Sequence, residues 1–383
     1  MINQRVLPNK QNTDLVTTTI QVNGKKLPLE FKRLYSMTVS REVNKIPFAR
    51  LVLEDGDVAS QKWELSDQSY FVPGNEIEIL AGYHSDEDTI FKGIVLRHSI
   101  KVRRNRPSIL VIECKSPVVR MTIGRHSQYF DRETDADAIE DILKKYQLKN
   151  EIKDKTSFPK KTAIVQHRVT DWDFMVSKAE VNGLLTFVED NKVVLAKPDL
   201  NQQPKLRLQY GAGVYEFEAG LDSENQYESV ATRSWNFSDQ LVVEDEAQSL
   251  PFREQGNVSS SDLSKVIGLD TYTMEHSGHV SQQELLAWAN AKMIRSKLSK
   301  ICGRIKIEGL SGIQPGDLVN LQGFGNRFNG NAFVSRVHHE LDTSRWFTHL
   351  QFGLSHKFFT AKYEDIEEPT SSCLLYTSPS PRD

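Results

Sequence analysis

Two pairs of histidines have the residue type that most readily supports chemistry, because imidazole nitrogens bind metal ions and exchange protons near neutral pH. His338 and His339 are neighbours on a predicted strand, so their side chains leave opposite faces and do not share a metal ion. His276 and His279 have a metal-like spacing, but no third ligand is evident near them. For His276 and His279 we predict surface or loop histidines rather than a metal site.

Candidate nucleophiles and anion sites are equally weak. Ser311 lies in Gly-Leu-Ser-Gly, which lacks the Gly-x-Ser-x-Gly pattern of a nucleophile elbow. Gly323-Phe-Gly325 leads into a predicted strand, whereas a phosphate-binding loop leads into a helix N-terminus. The sequence therefore predicts no catalytic, cofactor-binding or metal-binding residue, and a protein that is not an enzyme.

Composition limits the classes of partner. The chain has 383 residues and a formal net charge of −3, with 48 basic and 51 acidic residues. This balance disfavours a nucleic-acid partner, since binding a polyanion requires a basic surface. Mean hydropathy is −0.47, and no apolar run approaches the ~20 residues that span a bilayer. With no signal-like N-terminus and three widely spaced cysteines, we expect a protein folded in a cytoplasm without disulfides or a zinc site.

Strand-like patterns dominate the first and last thirds of the chain. Imperfect alternation of apolar and polar residues predicts small barrels or sandwiches with one buried face. The middle third adds helices, because Thr134 and Thr170 each begin a capping-box pattern ahead of an apolar stripe. The strongest predicted helix covers 281–300, and the polar segment 245–262 is predicted to be a loop.

One turn-and-strand pattern occurs twice. Each copy runs Pro-Gly, strand, Gly, loop, Phe-x-Gly and a second strand. Proline presets a tight turn, and glycine serves where the backbone takes positive φ or closely approaches a neighbour. The pattern favours a duplicated barrel over two unrelated hairpins, and a duplication raises the effective rotational symmetry of an oligomer. The defining residues are Pro73, Gly74, Gly82 and Gly93 in the first copy, and Pro315, Gly316, Gly323 and Gly330 in the second.

A cluster of basic residues lies between two predicted strands of the first third. It comprises Lys101, Arg103, Arg104 and Arg106, and we call it the basic turn. One interpretation is a solvated hairpin tip. The other is an electrostatic contact with an acidic partner subunit, for which 222–228 is a candidate. Nucleic-acid binding is less favoured, since no aromatic residues accompany the charge.

Several motifs, in their order and spacing, resemble VgrG-type hub and spike proteins of contractile injection systems. These systems are type VI secretion, extracellular injection particles and contractile phage tails. The resemblance covers about 17–363. It rests on the string from Tyr35 to Asp57, on Phe71-Val-Pro-Gly through Tyr83, on Thr170-Asp-Trp-Asp-Phe174, on Trp288-Ala-Asn-Ala-Lys292, on Phe328-Asn-Gly330 through Ser335 and on Phe352-Gly-Leu-Ser355.

The resemblance implies a structural baseplate hub. Such a protein forms a homotrimer whose two barrels per chain give pseudo-sixfold symmetry, and it joins a hexameric inner tube protein to a membrane-piercing spike. Other baseplate subunits would be further partners. A spike-tip protein, effectors and the membrane would be reached only through a C-terminal region that this sequence lacks. The implied location is the bacterial cytoplasm during assembly, or a phage or injection particle, with delivery outside the cell on contraction.

Together, the patterns and the resemblance predict an α+β, β-rich fold with two related small β-barrels, an inserted α/β domain and a helix-containing segment. The expected layout is a first barrel over 1–118, an inserted α+β domain over 119–200, and return strands of the first barrel over 201–240. A second barrel follows over 241–360 and contains the helix 281–300. The acidic segment 361–372 would then be a linker to a missing spike.

The final residues, 373–383, read CLLYTSPSPRD and share no periodicity with the rest of the chain. They look like a translated adapter sequence, and the alternative is a genuine disordered Ser/Pro tail.

The sequence leaves two alternative functions. A hub-associated cell-wall hydrolase would need two carboxylates across a cleft, in a catalytic module that is absent from this chain. A surface-binding module would need a cluster of exposed aromatic residues, whereas the five tryptophans lie mostly within predicted strands and helices.

Overall fold

The computed structural model describes residues 5–6, 15–28, 33–104, 106–155, 158–247 and 253–360. The predicted linker 361–372 and the unusual tail 373–383 lie outside these residues. The elements follow the predicted class, and the α+β, β-rich fold with two related barrels is confirmed. None of the helices in the described ranges is long and apolar enough to cross a membrane.

The first part of the chain forms strands. They are β1 (Arg5–Val6), β2 (Val16–Val22), β3 (Lys25–Lys26), β4 (Leu34–Glu42), β5 (Phe48–Glu54), β6 (Glu76–Tyr83), β7 (Asp86–Lys101) and β8 (Ile109–Lys115), with a short 3₁₀ helix at Ser69–Phe71. Six of them are neighbours in the order β2-β6-β7-β8-β5-β4, and we call this unit the first barrel. Alternate side chains point into a core that includes Leu34, Leu51, Phe71 and Ile79.

An inserted domain follows. It contains a 3₁₀ helix (Pro117–Thr122), β9 (His126–Asp131), α1 (Asp135–Lys145), β10 (Asn150–Ile152), β11 (Ala163–Val169), α2 (Asp171–Val181), β12 (Leu185–Glu189) and β13 (Lys192–Ala196). Strands β9 and β11 form an antiparallel pair, and β10, β13 and β12 form a small sheet. Thr134 and Asp137 make the predicted capping box, which satisfies backbone N–H groups at the start of α1. Apolar residues of both helices share one core.

The rest of the chain contains β14 (Leu206–Gln209), β15 (Val214–Leu221), β16 (Ser229–Asn236), β17 (Leu241–Glu246), α3 (Ser260–Ile267), β18 (Thr271–His276), α4 (Gln282–Ser299), β19 (Ile301–Glu308), β20 (Leu318–Gln322), β21 (Gly330–Leu341) and β22 (Trp346–Phe352). Six strands in the order β14-β20-β21-β22-β19-β15 form the second barrel. Between β15 and β19, strands β17, β16 and β18 form a separate sheet with α4 packed against it.

The assignment of 201–240 to the first barrel is wrong. Strand β14 pairs with β20, and β15 pairs with β19, so both belong to the second barrel. Strand β16 belongs to the separate three-stranded sheet. The reason is that strand partners are chosen by contacts between distant segments, which local patterning does not encode.

Helix α3 falls partly in the predicted loop 245–262. Its start is a capping box in which Ser259 Oγ accepts from Asp262 N at 3.0 Å and the Asp262 carboxylate accepts from Ser259 N at 3.3 Å. Gly268 ends the helix with φ +72°. The Ser-x-x-Asp signal was present in the sequence, but the surrounding polar residues obscured it.

Candidate subunit-contact surface

The residues with potential for chemistry occupy structural positions. His339 is 2% exposed, whereas the ring of His338 lies 5.9 Å from that of His349 on another face of β21. Ser311 Oγ donates to a carboxylate oxygen of Asp88 at 2.7 Å. Within the described ranges, no group of three His, Cys, Asp or Glu side chains is arranged to hold a metal ion. The features that stand out are instead the repeated barrels and their edges.

The two Pro-Gly turns have the same hydrogen bonds. Gly74 has φ +104° and Gly316 has φ +98°, which favours glycine at both positions. Gly74 N donates to Val95 O at 2.9 Å, and Gly316 N donates to Val334 O at 2.8 Å. In each copy, the residue after the glycine accepts from the N–H of the same valine at 2.9 Å. The prolines, Pro73 and Pro315, lead into equivalent turns.

The strands after these turns also correspond. The β7–β8 pairing has a bulge between Val95 and Arg97, and the β21–β22 pairing has one between Val334 and Arg336. A bulge bends its strand and increases the local twist. Because both copies have a bulge at the same place, the bulges show which residues of the two copies correspond. Strands β6, β7 and β8 therefore correspond to β20, β21 and β22.

The correspondence extends to the other side of each barrel. The β4–β5 pairing is irregular between Leu34 and Ser36, and the β15–β19 pairing between Val214 and Glu216. An exposed tyrosine occupies the extra position in both cases, Tyr35 and Tyr215. Strand β2 is the exception, since it runs antiparallel to β6 whereas β14 runs parallel to β20.

The register corrects one pair of glycines in the sequence repeat. Gly93 lies opposite Ile77, and the counterpart of Ile77, Val319, lies opposite Ala332. Gly93 therefore corresponds to Ala332 and not to Gly330. The loop between the two strands differs in length between the copies. Matching the motifs alone therefore pairs the wrong residues at the start of the second strand.

Gly82 and Gly323 also differ. Gly82 lies within β6 opposite Glu87, where a Cβ would come within 1.7 Å of Asp86 O. Gly323 has φ +79° and follows β20. The first glycine therefore permits close backbone approach, and the second permits a turn.

The two barrels are joined within the chain by a strand pair. The second half of β21 runs antiparallel to β4, from Arg336 opposite Glu42 to Leu341 opposite Met37. Arg336 Nε lies 3.6 Å from a carboxylate oxygen of Glu42. Leu341 and His339, two residues apart on β21, are each 2% exposed. This joint combines backbone pairing, an ion pair and buried side chains.

The basic turn extends from the end of β7. Its four side chains are exposed, and none makes an ion pair with another residue in the described part of the chain. An open cavity of about 580 Å³ lies between this turn and β4 and β5, with Tyr35 and Arg50 in its lining. An exposed cationic surface beside a cavity is compatible with both interpretations, the solvated tip and the contact with an acidic subunit. The contact remains a prediction.

In the described part of the chain, β7 and β15 each have an edge without a strand partner. Neighbouring strands run continuously in the order β7-β8-β5-β4-β21-β22-β19-β15, with β7 and β15 at the two ends. Among the described strands, β15 pairs only with β19, and β7 beyond Val95 pairs only with β8. Ile100 is 49% exposed and Val102 is 65% exposed next to one of these edges. Sequence reasoning missed the edges, because strand order is a property of the assembled sheet.

The chain matches one family model, and its fold is similar to several solved structures. The family model described as the Alg8 N-terminal domain matches residues 12–343, and no curated protein sequence matches the chain. The fold is similar to a 43 kDa tail protein of prophage MuSo2 from Shewanella oneidensis, with TM-score 0.65 and 9% identity over 89% of this chain and 99% of that one. A tail protein from Neisseria meningitidis MC58 gives TM-score 0.63 and 13% identity over 90% and 98% of the two chains.

A third similar structure is the E. coli c3393 protein, described as a component of the type VI secretion system that is structurally similar to the T4 bacteriophage tail proteins gp27 and gp5. It gives TM-score 0.55 and 9% identity over 89% of this chain and 77% of that one. At sequence identities of 9% to 13%, these similarities are evidence for a shared fold alone. The predicted resemblance to hub-type proteins is thereby confirmed at that level.

Proposed function

We propose that this chain, which belongs to the family described as the Alg8 N-terminal domain, is a structural baseplate hub of a contractile injection machine. The support is its fold, which is similar to that of phage tail proteins. In this proposal three chains form a ring, one face of the ring docks onto a hexameric inner tube protein, and the other face leads to the spike. Other baseplate subunits surround the ring, and a spike-tip protein and effectors are reached through the spike.

The observation that carries the proposal is the repeat within one chain. The two barrels share turns, bulges and strand order, so each chain supplies two similar units. Three such chains supply six units, which is the number needed to match a hexameric ring. A duplicated barrel is therefore a physical means of joining threefold and sixfold partners.

A scaffold role also fits the side chains. Ser311 and His339 make hydrogen bonds within the described residues, and the ion pair of Glu180 with Arg295 holds two helices together. We propose that the protein acts through assembly and not through catalysis, that it assembles in the bacterial cytoplasm or in a phage or injection particle, and that contraction delivers it outside the cell.

Light scattering of the full chain across a range of concentrations tests the proposal. We expect a species with three times the 43.7 kDa mass of one chain. The isolated trimer should then cap rings of a hexameric tube protein, observed as end-bound density by negative-stain electron microscopy. A chain that stays monomeric at every concentration, or a trimer that leaves tube ends uncapped, would contradict the proposal.

A further inference from the structure

The cavity beside the basic turn has the size and the charge of a binding site for a small anionic molecule. Its volume is about 580 Å³, and small-molecule sites typically enclose ~300–1,000 Å³. Among the described residues, its lining contains four cationic side chains and no carboxylate. The cations are Arg50, Lys101, Arg103 and Arg106.

Strand periodicity places this cavity on the outside of the first barrel. On β4, the lining residues Ser36 and Thr38 flank the buried Met37, and on β5, Arg50 and Val52 likewise flank a buried leucine. Alternate side chains leave opposite faces of a strand, so the lining residues face away from the barrel core. Thr38 lies opposite Arg50 in the β4–β5 pairing. Hydroxyl groups and a guanidinium therefore share this face.

The cations of the cavity are not neutralised by carboxylates. In the described part of the chain, none of the four makes an ion pair. Glu113 lies opposite Arg50 in the β5–β8 pairing, but its ion pair is with Arg97, at 3.8 Å. A cleft lined by charges of one sign concentrates ions of the other sign, and guanidinium groups bind phosphate oxygens in a bidentate geometry. The charge therefore indicates a ligand with several negative charges.

An aromatic ring adjoins the same cations. Tyr35 occupies the extra position in the β4–β5 pairing, lines the cavity and is 65% exposed. The sequence has no aromatic residue next to the basic turn, and the fold brings this ring to it from a distant strand. An exposed aromatic ring is a surface on which a planar base can stack. The cavity therefore combines features for a ligand that has both a ring and a chain of charges.

We propose that this cavity binds a nucleoside polyphosphate, with its phosphates among Lys101, Arg103 and Arg106 and its base stacked on Tyr35. A mononucleotide fits better than a long nucleic acid, because the cavity has the volume of one small molecule and the whole chain has a net charge of −3. Such binding is a property of the single chain and does not require the proposed assembly.

Calorimetric titration of the full chain with three ligands tests the ligand class. ATP should bind at least about tenfold more tightly than AMP, because further phosphates add charge-assisted hydrogen bonds. ATP should also bind about tenfold more tightly than inorganic tripolyphosphate, because tripolyphosphate has no base to stack. If AMP binds as tightly as ATP, or if a short polyglutamate peptide or a single-stranded oligonucleotide binds more tightly, the assignment is overturned.

A pair of double variants tests the place of binding. Arg103→Ser/Arg106→Ser should weaken ATP binding about a hundredfold, at about tenfold for each lost charged hydrogen bond. Arg120→Ser/Arg125→Ser removes two exposed arginines from the inserted domain and changes the net charge equally. It should leave ATP binding unchanged. Equal weakening by both pairs would mean that ATP responds to net charge alone, and would overturn the site.

The tyrosine provides a readout that charge alone does not move. Tyr35→Ser should weaken ATP binding about tenfold and leave tripolyphosphate binding unchanged, whereas Tyr35→Phe should keep the wild-type affinity for both. An equal effect of Tyr35→Ser on both ligands would contradict stacking.

Light scattering of the same samples separates this site from the proposed function. A trimer that binds no ATP would overturn the site and leave the proposed hub standing. A chain that stays monomeric at every concentration but binds ATP with the expected dependence on Tyr35 and the two arginines would support the site and contradict the hub.

Discussion

A single buried histidine shows how strongly the joint between the barrels affects side-chain chemistry. His339 Nδ1 lies 3.0 Å from Thr348 Oγ1, and its ring centroid is 5.8 Å from that of Trp346. Burial, followed by the nearby charge of Arg41, lowers the pKa of His339 to about 3. The imidazole is therefore neutral at physiological pH, and protonating it would place an unpaired charge in the core.

Acid should destabilise the protein through this residue. Below pH 6.5 the unfolded chain takes up a proton at this histidine that the folded protein, with its pKa of about 3, does not. Stability should therefore fall as the pH drops from about 6.5, at up to ~1.4 kcal/mol per pH unit from this group. Urea denaturation at pH 7 and pH 5 should show a smaller difference for His339→Gln than for wild type. The exposed His126→Gln serves as control, and equal pH differences in all three proteins would contradict the prediction.

At the scale of elements, the repeated turn decides where each barrel strand begins. The sequence predicted the two Pro-Gly turns and their glycines, because proline and glycine constrain the backbone locally. It aligned Gly93 with the wrong counterpart and placed β14 and β15 in the wrong barrel. Both errors concern pairing between strands, which depends on residues far apart in the chain.

Alanine at the two turn glycines should destabilise the barrels to different extents. At φ +104° and +98°, Gly74→Ala and Gly316→Ala should each cost about 1–2 kcal/mol of unfolding free energy. Gly316→Ala should cost more, since its Cβ would lie 2.9 Å from the Phe187 ring, whereas the Cβ at Gly74 meets nothing within 4 Å. Chemical denaturation measures both, with Gly312→Ala as an unstrained control. Equal losses in both variants would show that the Phe187 contact relaxes freely.

At the scale of the whole molecule, one buried ion pair ties the inserted domain to the rest of the chain. Glu180 on α2 pairs with Arg295 on α4, and their side chains are 3% and 7% exposed. The amide of Asn44 and the backbone N–H of Phe359 also donate to Glu180. Arg295 in turn donates to two backbone carbonyls of the C-terminal segment, at 3.1 and 2.9 Å. Four distant segments therefore meet at these two charges.

Removing one charge of this pair should be far more harmful than removing a surface charge. Glu180→Leu leaves the Arg295 guanidinium buried without its carboxylate, and should cost about 3–5 kcal/mol of unfolding free energy. The double variant Glu180→Leu/Arg295→Met should be more stable than Glu180→Leu alone, since no unpaired charge remains. Asp141→Ala, which breaks the exposed pair with Lys144, should change the unfolding free energy far less than Glu180→Leu does. Thermal or chemical denaturation measures the stability of the three variants and so ranks them.

The sequence by itself determined the β-rich class, the capped helices α1, α2 and α4, the Pro-Gly turns and the resemblance to hub proteins. These features rest on local spacing: alternation along a strand, a capping pair three residues apart, and a proline before a glycine. Only the tertiary structure decided which strands share a barrel, how β21 joins β4, and that β7 and β15 each have an edge unpaired by any described strand. These relations arise from backbone pairing between segments up to about 300 residues apart, as in Arg336 with Glu42, and no local pattern specifies such partners.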